Sequence, residues 1–196
     1  MSHPQPRAEG ARGVSASLPI RLRAPVAEDG KRVSDLIAAC PPLDRNSLYC
    51  NLLQCTDFAE TCVLAEHDGE AVGWISAYRP PAGGDALFVW QVAVHERARG
   101  HGLAQKMIAD LLARPAARGV NKIKTTITQG NKASWGVFQS LAKALKAPLV
   151  SEAYFERETH FGGEHETEHL VTIGPFGAFG GRQDRESHST QKQPGK

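Results

Sequence analysis

The spacing of apolar residues divides this chain into short alternating and helical stretches. "PIRLRAP" at Pro19–Pro25 reads as a strand, and Val33, Leu36, Ile37 and Cys40 recur at helical intervals, predicting a helix over about Lys31 to Ala39. After the Pro41-Pro42 break a second short helix is expected at Ser47–Gln54. "TCVLAE", the turn "HDGE" and "AVGWISAY" predict an antiparallel hairpin, because β-branched and aromatic runs flank Asp68-Gly69. After the loop "RPPAGGD", Leu87–Val94 returns as a third strand of that meander. A helix from about Gly102 to Ala113 carries Leu103, Met107, Leu111 and Leu112 on one face. Then come a strand "KIKTTI", a helix over Lys132–Lys143, a strand near Pro148–Tyr154 and a last strand near Thr167–Ile173. The predicted order is β-α-α-β-β-β-α-β-α-β-β, with no internal repeat.

Composition narrows the function classes. At 196 residues, 41% hydrophobic and 22% charged, the chain is long enough for one domain with a complete core. A net charge of +2, with both signs interspersed, lacks the concentrated basic surface that nucleic acids require. No apolar run approaches the roughly 20 residues that span a bilayer, and "MSHPQPRAEGARGVSAS" lacks the apolar centre of a secretory signal. A cytoplasmic protein with neither nucleic-acid nor membrane partners is therefore expected. Residues 1–17 and 177–196 are rich in Pro, Gly, Ser and polar residues and read as disordered tails, which leaves 18–176 as the domain. Cys40, Cys50, Cys55 and Cys62 fit neither CxxC metal spacing nor a disulfide scaffold, so they are read as reduced thiols in the core or, alternatively, as containing a reactive nucleophile.

The most distinctive stretch is "VAVHERARGHGLAQKM", Val92–Met107, where a strand hands over to a helix. Gly100 and Gly102 can take positive φ and let the main chain approach a ligand closely. Successive N–H groups at a helix start, aided by the helix dipole, suit a diphosphate, and Arg97 and Arg99 can add charge. A plain tight turn is the competing reading. The P-loop GxxxxGK[ST] is absent, and the dinucleotide fingerprint fails because Gln105 stands where a third Gly or Ala is required.

What the segment does match is RxxGxG, through Arg97, Gly100 and Gly102. That string resembles the pyrophosphate loop of the GNAT superfamily of acyl-CoA-dependent N-acetyltransferases, and the element order is similar to that fold over about Ile20 to Phe176. The resemblance implies an α/β GNAT acyl-CoA N-acyltransferase fold, a mixed central sheet of about six to seven strands flanked by about four helices. It implies acetyl-CoA as co-substrate and no metal, the diphosphate lying on Arg97, Arg99, Gly100, His101, Gly102, Leu103 and Ala104. The pantetheine arm would run along Trp90–Val94, so that Val94 contacts the cofactor and the Val92 N–H polarises the thioester carbonyl. Asn131 stands where the superfamily often bonds pantetheine, although Asn is also among the best helix N-caps. Phe138 occupies the cofactor-side position at which many members carry a Tyr proton donor. A thiol of pKa about 8.5 leaves readily without one, whereas an alkylammonium of pKa about 10.4 must be neutralised at a cost of about 4 kcal/mol at pH 7.4. The acceptor site should therefore be built around that proton.

Three further segments, "PPLDRNSLYCNLLQCTDFAETCVLAE", "FVWQVAV" and "HFGGEHETEHLVTIGPF", resemble the L-2,4-diaminobutyrate acetyltransferases of ectoine biosynthesis. This resemblance implies direct acetyl transfer to the γ-amine of diaminobutyrate, homodimerisation, and substrate contacts from Asp44, Tyr49 and Trp90. A capping Asp44 and core positions for Tyr49 and Trp90 are the alternatives. "HETEH", His165–His169, is a literal HExxH, but Gly162-Gly163 before it and "LVTIGP" after it predict a strand, in which the imidazoles stand about 13 Å apart, too far for one zinc. In a strand His165, Thr167 and His169 share one face and Glu166 and Glu168 the other, and one face would close the amine pocket. His165, Glu166 and Glu168 are thus candidate substrate contacts, with Glu168 the candidate catalytic base. An acetyltransferase for ornithine, a polyamine or a protein N-terminus, a zinc hydrolase built on "HETEH" and a non-catalytic acyl-CoA sensor are the rival readings.

Overall fold

A computed structural model describes residues 19–177 apart from Gly83; the tail expected at 1–17, and that expected at 177–196 apart from Gly177, lie outside the described residues. In chain order the elements are β1 (Arg21–Arg23), α1 (Gly30–Ala38), α2 (Leu48–Cys55), β2 (Val63–His67), β3 (Glu70–Tyr78), β4 (Ala86–Val94), α3 (Leu103–Ala113), β5 (Lys122–Thr128), α4 (Lys132–Leu145), β6 (Leu149–Phe155), α5 (Arg157–Phe161) and β7 (Glu168–Ile173). They form one sheet in the order β1-β2-β3-β4-β5-β7-β6, in which β4–β5 is parallel and every other pair is antiparallel. The mixed seven-stranded α/β architecture matches the expected class.

Two expectations need correction. The order lacked α5, whose five residues are too short for a periodic signal; the Glu156 N–H donates to His160 Nδ1 across it and Gly162, at φ 59°, ends it. The last strand begins at Glu168 rather than Thr167, so residues 165–167 are irregular and have no alternating strand faces.

The sheet is covered on both faces. On one, α1 and α2 bury Val33, Leu36, Ile37, Cys40 and Cys55 against Leu64, Trp74 and Ala93. On the other, α3 and α4 bury Leu103, Met107, Ile108, Leu111 and Phe138 against Ile75, Val89, Ile123, Ile127 and Val171. The β2–β3 hairpin turns through Asp68 and Gly69 at φ 51° and 79°, both positive as a two-residue hairpin loop of this kind needs. Gly73 inside β3 has a separate purpose: a Cβ there would stand 3.0 Å from Met107 Sδ and 3.1 Å from Leu103 Cδ2. Its absence lets the first turns of α3 lie tight on the sheet, which fixes where that helix begins.

All four cysteines are free, and burial raises each thiol pKa, Cys55 to about 11 and Cys62 to about 12. Burial thus favours the protonated thiol at each position, which argues against the reactive-nucleophile alternative.

A buried ion network ties the first strand to α1 and the hairpin. Arg23 bonds Asp29 at 2.6 and 2.8 Å and Glu66 at 2.8 and 2.9 Å, and Arg32 reaches both carboxylates. Burial opposes ionisation of Asp29, but the hydrogen bonds from Arg23 and the Val26 amide outweigh it; Glu66 is held low chiefly by Arg23. Both native carboxyls therefore titrate below their unfolded values. Their contribution to stability is complete above about pH 4 and is lost as pH falls through the depressed native values. Asp29→Ala is expected to cost about 3 kcal/mol, because it leaves Arg23 and Arg32 partly uncompensated, and to flatten the fall of Tm below pH 4. A melting series across pH 2–7 checks both, and an unchanged acid limb in the variant would refute the assignment.

Candidate active site

The site lies where β4 and β5 part. These strands pair only at Ala86–Phe88 with Lys122–Lys124; beyond Phe88, β4 keeps its partner on the β3 side while β5 pairs with β7. The edge of β4 facing β5 is thus open from Val89 to Val94, and alternate main-chain groups along it are available to a ligand. Opposite, β3 runs Ser76 against Gln91 and then Ala77 against Val89, which makes Trp90 the extra residue of a bulge. The bulge presents the Trp90 ring, 50% exposed, edge-on to Tyr78 at 6.3 Å. Trp90 is therefore no core residue, and together with Tyr78 and Phe88 it makes an aromatic wall.

Past β4 a short 3-10 turn, Glu96–Ala98, is pinned by buried Ala98 and delivers the chain to Gly100 at φ 80° and Gly102 at φ 67°. Gly102 is the N-cap of α3 and supplies no capping side chain, and the first turn carries no carboxylate. By contrast α2 and α4 are capped by side chains: Ser47 accepts from the Cys50 N–H and Asn131 from the Ser134 N–H, each at 3.1 Å. At α3 the result is six successive amides, Gly100 to Gln105, with no hydrogen-bond acceptor among the described residues. Unpaired donors converging at a helix N-terminus make a cradle for an anion, which fits a coenzyme diphosphate. Arg97 is exposed beside it, and Arg99 spends its Nε on the Val94 carbonyl at 3.0 Å. The His101 ring folds back to the Arg99 carbonyl at 2.8 Å. Asn131 caps α4 through Oδ1 and leaves its amide nitrogen without a partner among the described residues, so capping and ligand contact are compatible. Phe138 is 3% exposed and packs in the core with residues of α3 and α4.

On the α2 side, Asp44 is not the helix cap, since Ser47 takes that position, and Tyr49 is 70% exposed on the first turn of α2 rather than in the core. The Asp44 carbonyl accepts from Gln91 Nε2 at 2.8 Å, which ties this loop to β4. Across the cleft Glu168 opens β7. Its Oε2 is buried without a hydrogen-bond partner among the described residues. Burial raises its pKa above the ordinary carboxylate value, partly offset by the Thr126 hydroxyl and His165 and reinforced by the charge of Asp44. Glu166 points elsewhere, lying over Gly130 in the loop before α4. "HETEH" forms no helix, so its imidazoles are not paired on one helical face as a zinc hydrolase needs. Gln91 and Thr126 were not among the expected site residues; a polar side chain inside "FVWQVAV" and the Thr-Thr of "KIKTTI" were the available signals.

A splayed β4–β5 pair with a bulged β4 and an uncapped, glycine-bounded α3 define a GNAT acyltransferase, and residues 31–142 match the model of the Acetyltransferase (GNAT) family. An L-2,4-diaminobutyric acid acetyltransferase of Methylotuvimicrobium alcaliphilum is 54% identical over 81% of this chain and 92% of its own length. That of Chromohalobacter salexigens is 47% identical over 83% and 84%. The solved diaminobutyrate acetyltransferase of Paenibacillus lautus, in complex with L-2,4-diaminobutyric acid and coenzyme A, is 40% identical with a TM-score of 0.76, covering 82% of this chain and 97% of that one. The chain belongs to the L-2,4-diaminobutyric acid acetyltransferase family.

Proposed function

We propose that this protein transfers the acetyl group of acetyl-CoA to the γ-amine of L-2,4-diaminobutyrate, the acetylation step of ectoine synthesis. The observation that carries the reading is the run of six unpaired amides, Gly100 to Gln105, at the mouth of the β4–β5 cleft. Anchoring the diphosphate there sends the pantetheine arm along the open edge of β4, with the thioester near Val92 and its carbonyl oxygen facing a main-chain donor. The acceptor enters from the α2 side between Asp44, Tyr49, Trp90 and Glu168. Asp44 attracts an ammonium, Trp90 walls the pocket, and Glu168 takes the γ-ammonium proton. The freed nitrogen lone pair attacks the thioester carbon, the C–S bond breaks as the coenzyme leaves as thiolate, and the second proton of the acylated nitrogen passes to that thiolate to give the amide and free thiol. The elevated Glu168 pKa suits this task, since it brings the base closer to the ammonium it must deprotonate.

Reduced buried thiols and an acetyl-CoA substrate are consistent with a cytoplasmic enzyme. We further infer a homodimer, supported by family membership and by edge strand β6, whose Val150, Tyr154 and Phe155 are exposed. A panel of primary amines with thiol release as readout is expected to give the highest kcat/KM with diaminobutyrate. The longer ornithine should be at least tenfold poorer and peptides inert, and light scattering on the same preparation is expected to read twice the chain mass. Comparable rates on peptides would reject the substrate; a monomer would reject the dimer.

A further inference from the structure

We propose that Gln91 is a positioning residue that latches the acceptor loop, residues 44–46, onto the strand bearing the thioester-polarising amide. The inference rests on the reading that this loop contacts the amine substrate. Gln91 lies between the Trp90 bulge and Val92 on β4, opposite Ser76 of β3. Its side-chain amide is used at both ends: Nε2 donates to the Asp44 carbonyl at 2.8 Å, and Oε1 accepts from Asn46 Nδ2 at 3.0 Å. The carbonyl can only accept, so the Gln91 amide has one workable orientation: a flip turns its oxygen onto the Asp44 carbonyl and breaks that bond. Among the described residues no other hydrogen bond joins residues 44–46 to the sheet.

The surroundings make the latch matter. The inward face of α2 carries Asn51 and Gln54 beside Cys55, both fully buried, and Asn51 Oδ1 and both polar atoms of Gln54 lack partners among the described residues. Beneath them Trp74 Nε1 and Ser76 Oγ are likewise unpaired. A seam with so many unanswered polar atoms holds the loop and α2 on the sheet less firmly than apolar packing does. The two Gln91 bonds therefore hold the loop that carries the Asp44 carboxylate in one place beside β4, ready for the acceptor's ammonium, so that losing them weakens acceptor binding.

The test uses the full chain with diaminobutyrate and acetyl-CoA. Gln91→Leu, of similar size but without either bond, is expected to raise the acceptor KM at least tenfold while coenzyme A affinity by calorimetry stays within twofold. Asn46→Ala, on the partly exposed loop, removes one bond and should give a smaller rise. The double variant should equal Gln91→Leu alone, because both changes act through one contact. Unchanged acceptor KM in both single variants, or a parallel loss of coenzyme affinity, overturns the latch. Should Gln91→Leu fail to fold, Asn46→Ala still decides. A wild type that ignores diaminobutyrate refutes the substrate reading instead, and the latch is then judged with whichever amine of the panel releases thiol.

Discussion

Glu168→Gln is expected to lower kcat at least a hundredfold while leaving the affinity for coenzyme A within twofold. Gln keeps the size of the side chain and its hydrogen-bonding oxygen but cannot accept a proton. At pH 7.4 an alkylammonium of pKa about 10.4 is neutral in about one part in a thousand, so losing the base returns most of that factor to the barrier. The pH profile separates this role from mere shape. In the wild type, kcat/KM should rise through the native Glu168 value, which burial holds above the ordinary carboxylate range. In Glu168→Gln that acid limb should vanish. Stability should move the other way. A carboxyl whose native pKa is raised favours the fold fully below its unfolded value and loses that contribution as pH rises through the native value. At neutral pH the wild type therefore holds a buried, unpartnered carboxylate oxygen at a cost, and Glu168→Gln should melt at the same temperature or higher. Full turnover in Glu168→Gln, or a retained acid limb, would remove Glu168 as the base.

Much of this architecture was legible because its signals are local. Val33, Leu36, Ile37 and Cys40 mark the buried side of α1, and all four are buried. Asp68-Gly69 announced a turn that demands two positive φ values, and the glycines of the RxxGxG string marked the positive-φ turn ahead of α3. The rest is non-local. Phe138 packs into the core, and helical spacing alone cannot reveal which neighbours that face of α4 meets. The stretch before β7 looked like strand because β-branched and alternating residues continue into it, but α5 and Gly162-Gly163 bend the chain and bring His165 to Glu168 while sending Glu166 toward Gly130. Beyond its polarity, Gln91 carries no signal of its role in the sequence; only the fold of a loop more than forty residues earlier gives it partners.

Gly100→Ala and Gly102→Ala together are expected to weaken coenzyme A binding about a hundredfold and to lower Tm by only a few degrees. The structure separates the two effects. A Cβ on Gly100 meets nothing within 4 Å, and one on Gly102 meets only Gln105 Oε1 at 3.7 Å, so neither substitution clashes within the folded chain. What each loses is the ease of holding φ at 80° or 67°, a strain of about 1 kcal/mol per site for an L-residue. The chain can relieve that strain by rotating these peptides, and the affordable place to do so is here, because the amides from Gly100 to Gln105 have no hydrogen bonds among the described residues to break. Rotation scatters donors that otherwise converge on one anion. Each charge-assisted hydrogen bond to a phosphate is worth about 1.5 to 3 kcal/mol, so misaiming one or two of the six accounts for a hundredfold, about 2.8 kcal/mol. Arg97, an exposed side chain, cannot restore the aim of main-chain donors, although it can supply charge. Calorimetry with coenzyme A and with a dephosphorylated, pantetheine-only fragment tests the cause. The fragment lacks the diphosphate, so its weak binding should be the same in wild type and variant. An equal loss for both ligands would instead mean that the glycines shape the whole cleft, and unchanged binding of the coenzyme would mean that its diphosphate rests elsewhere.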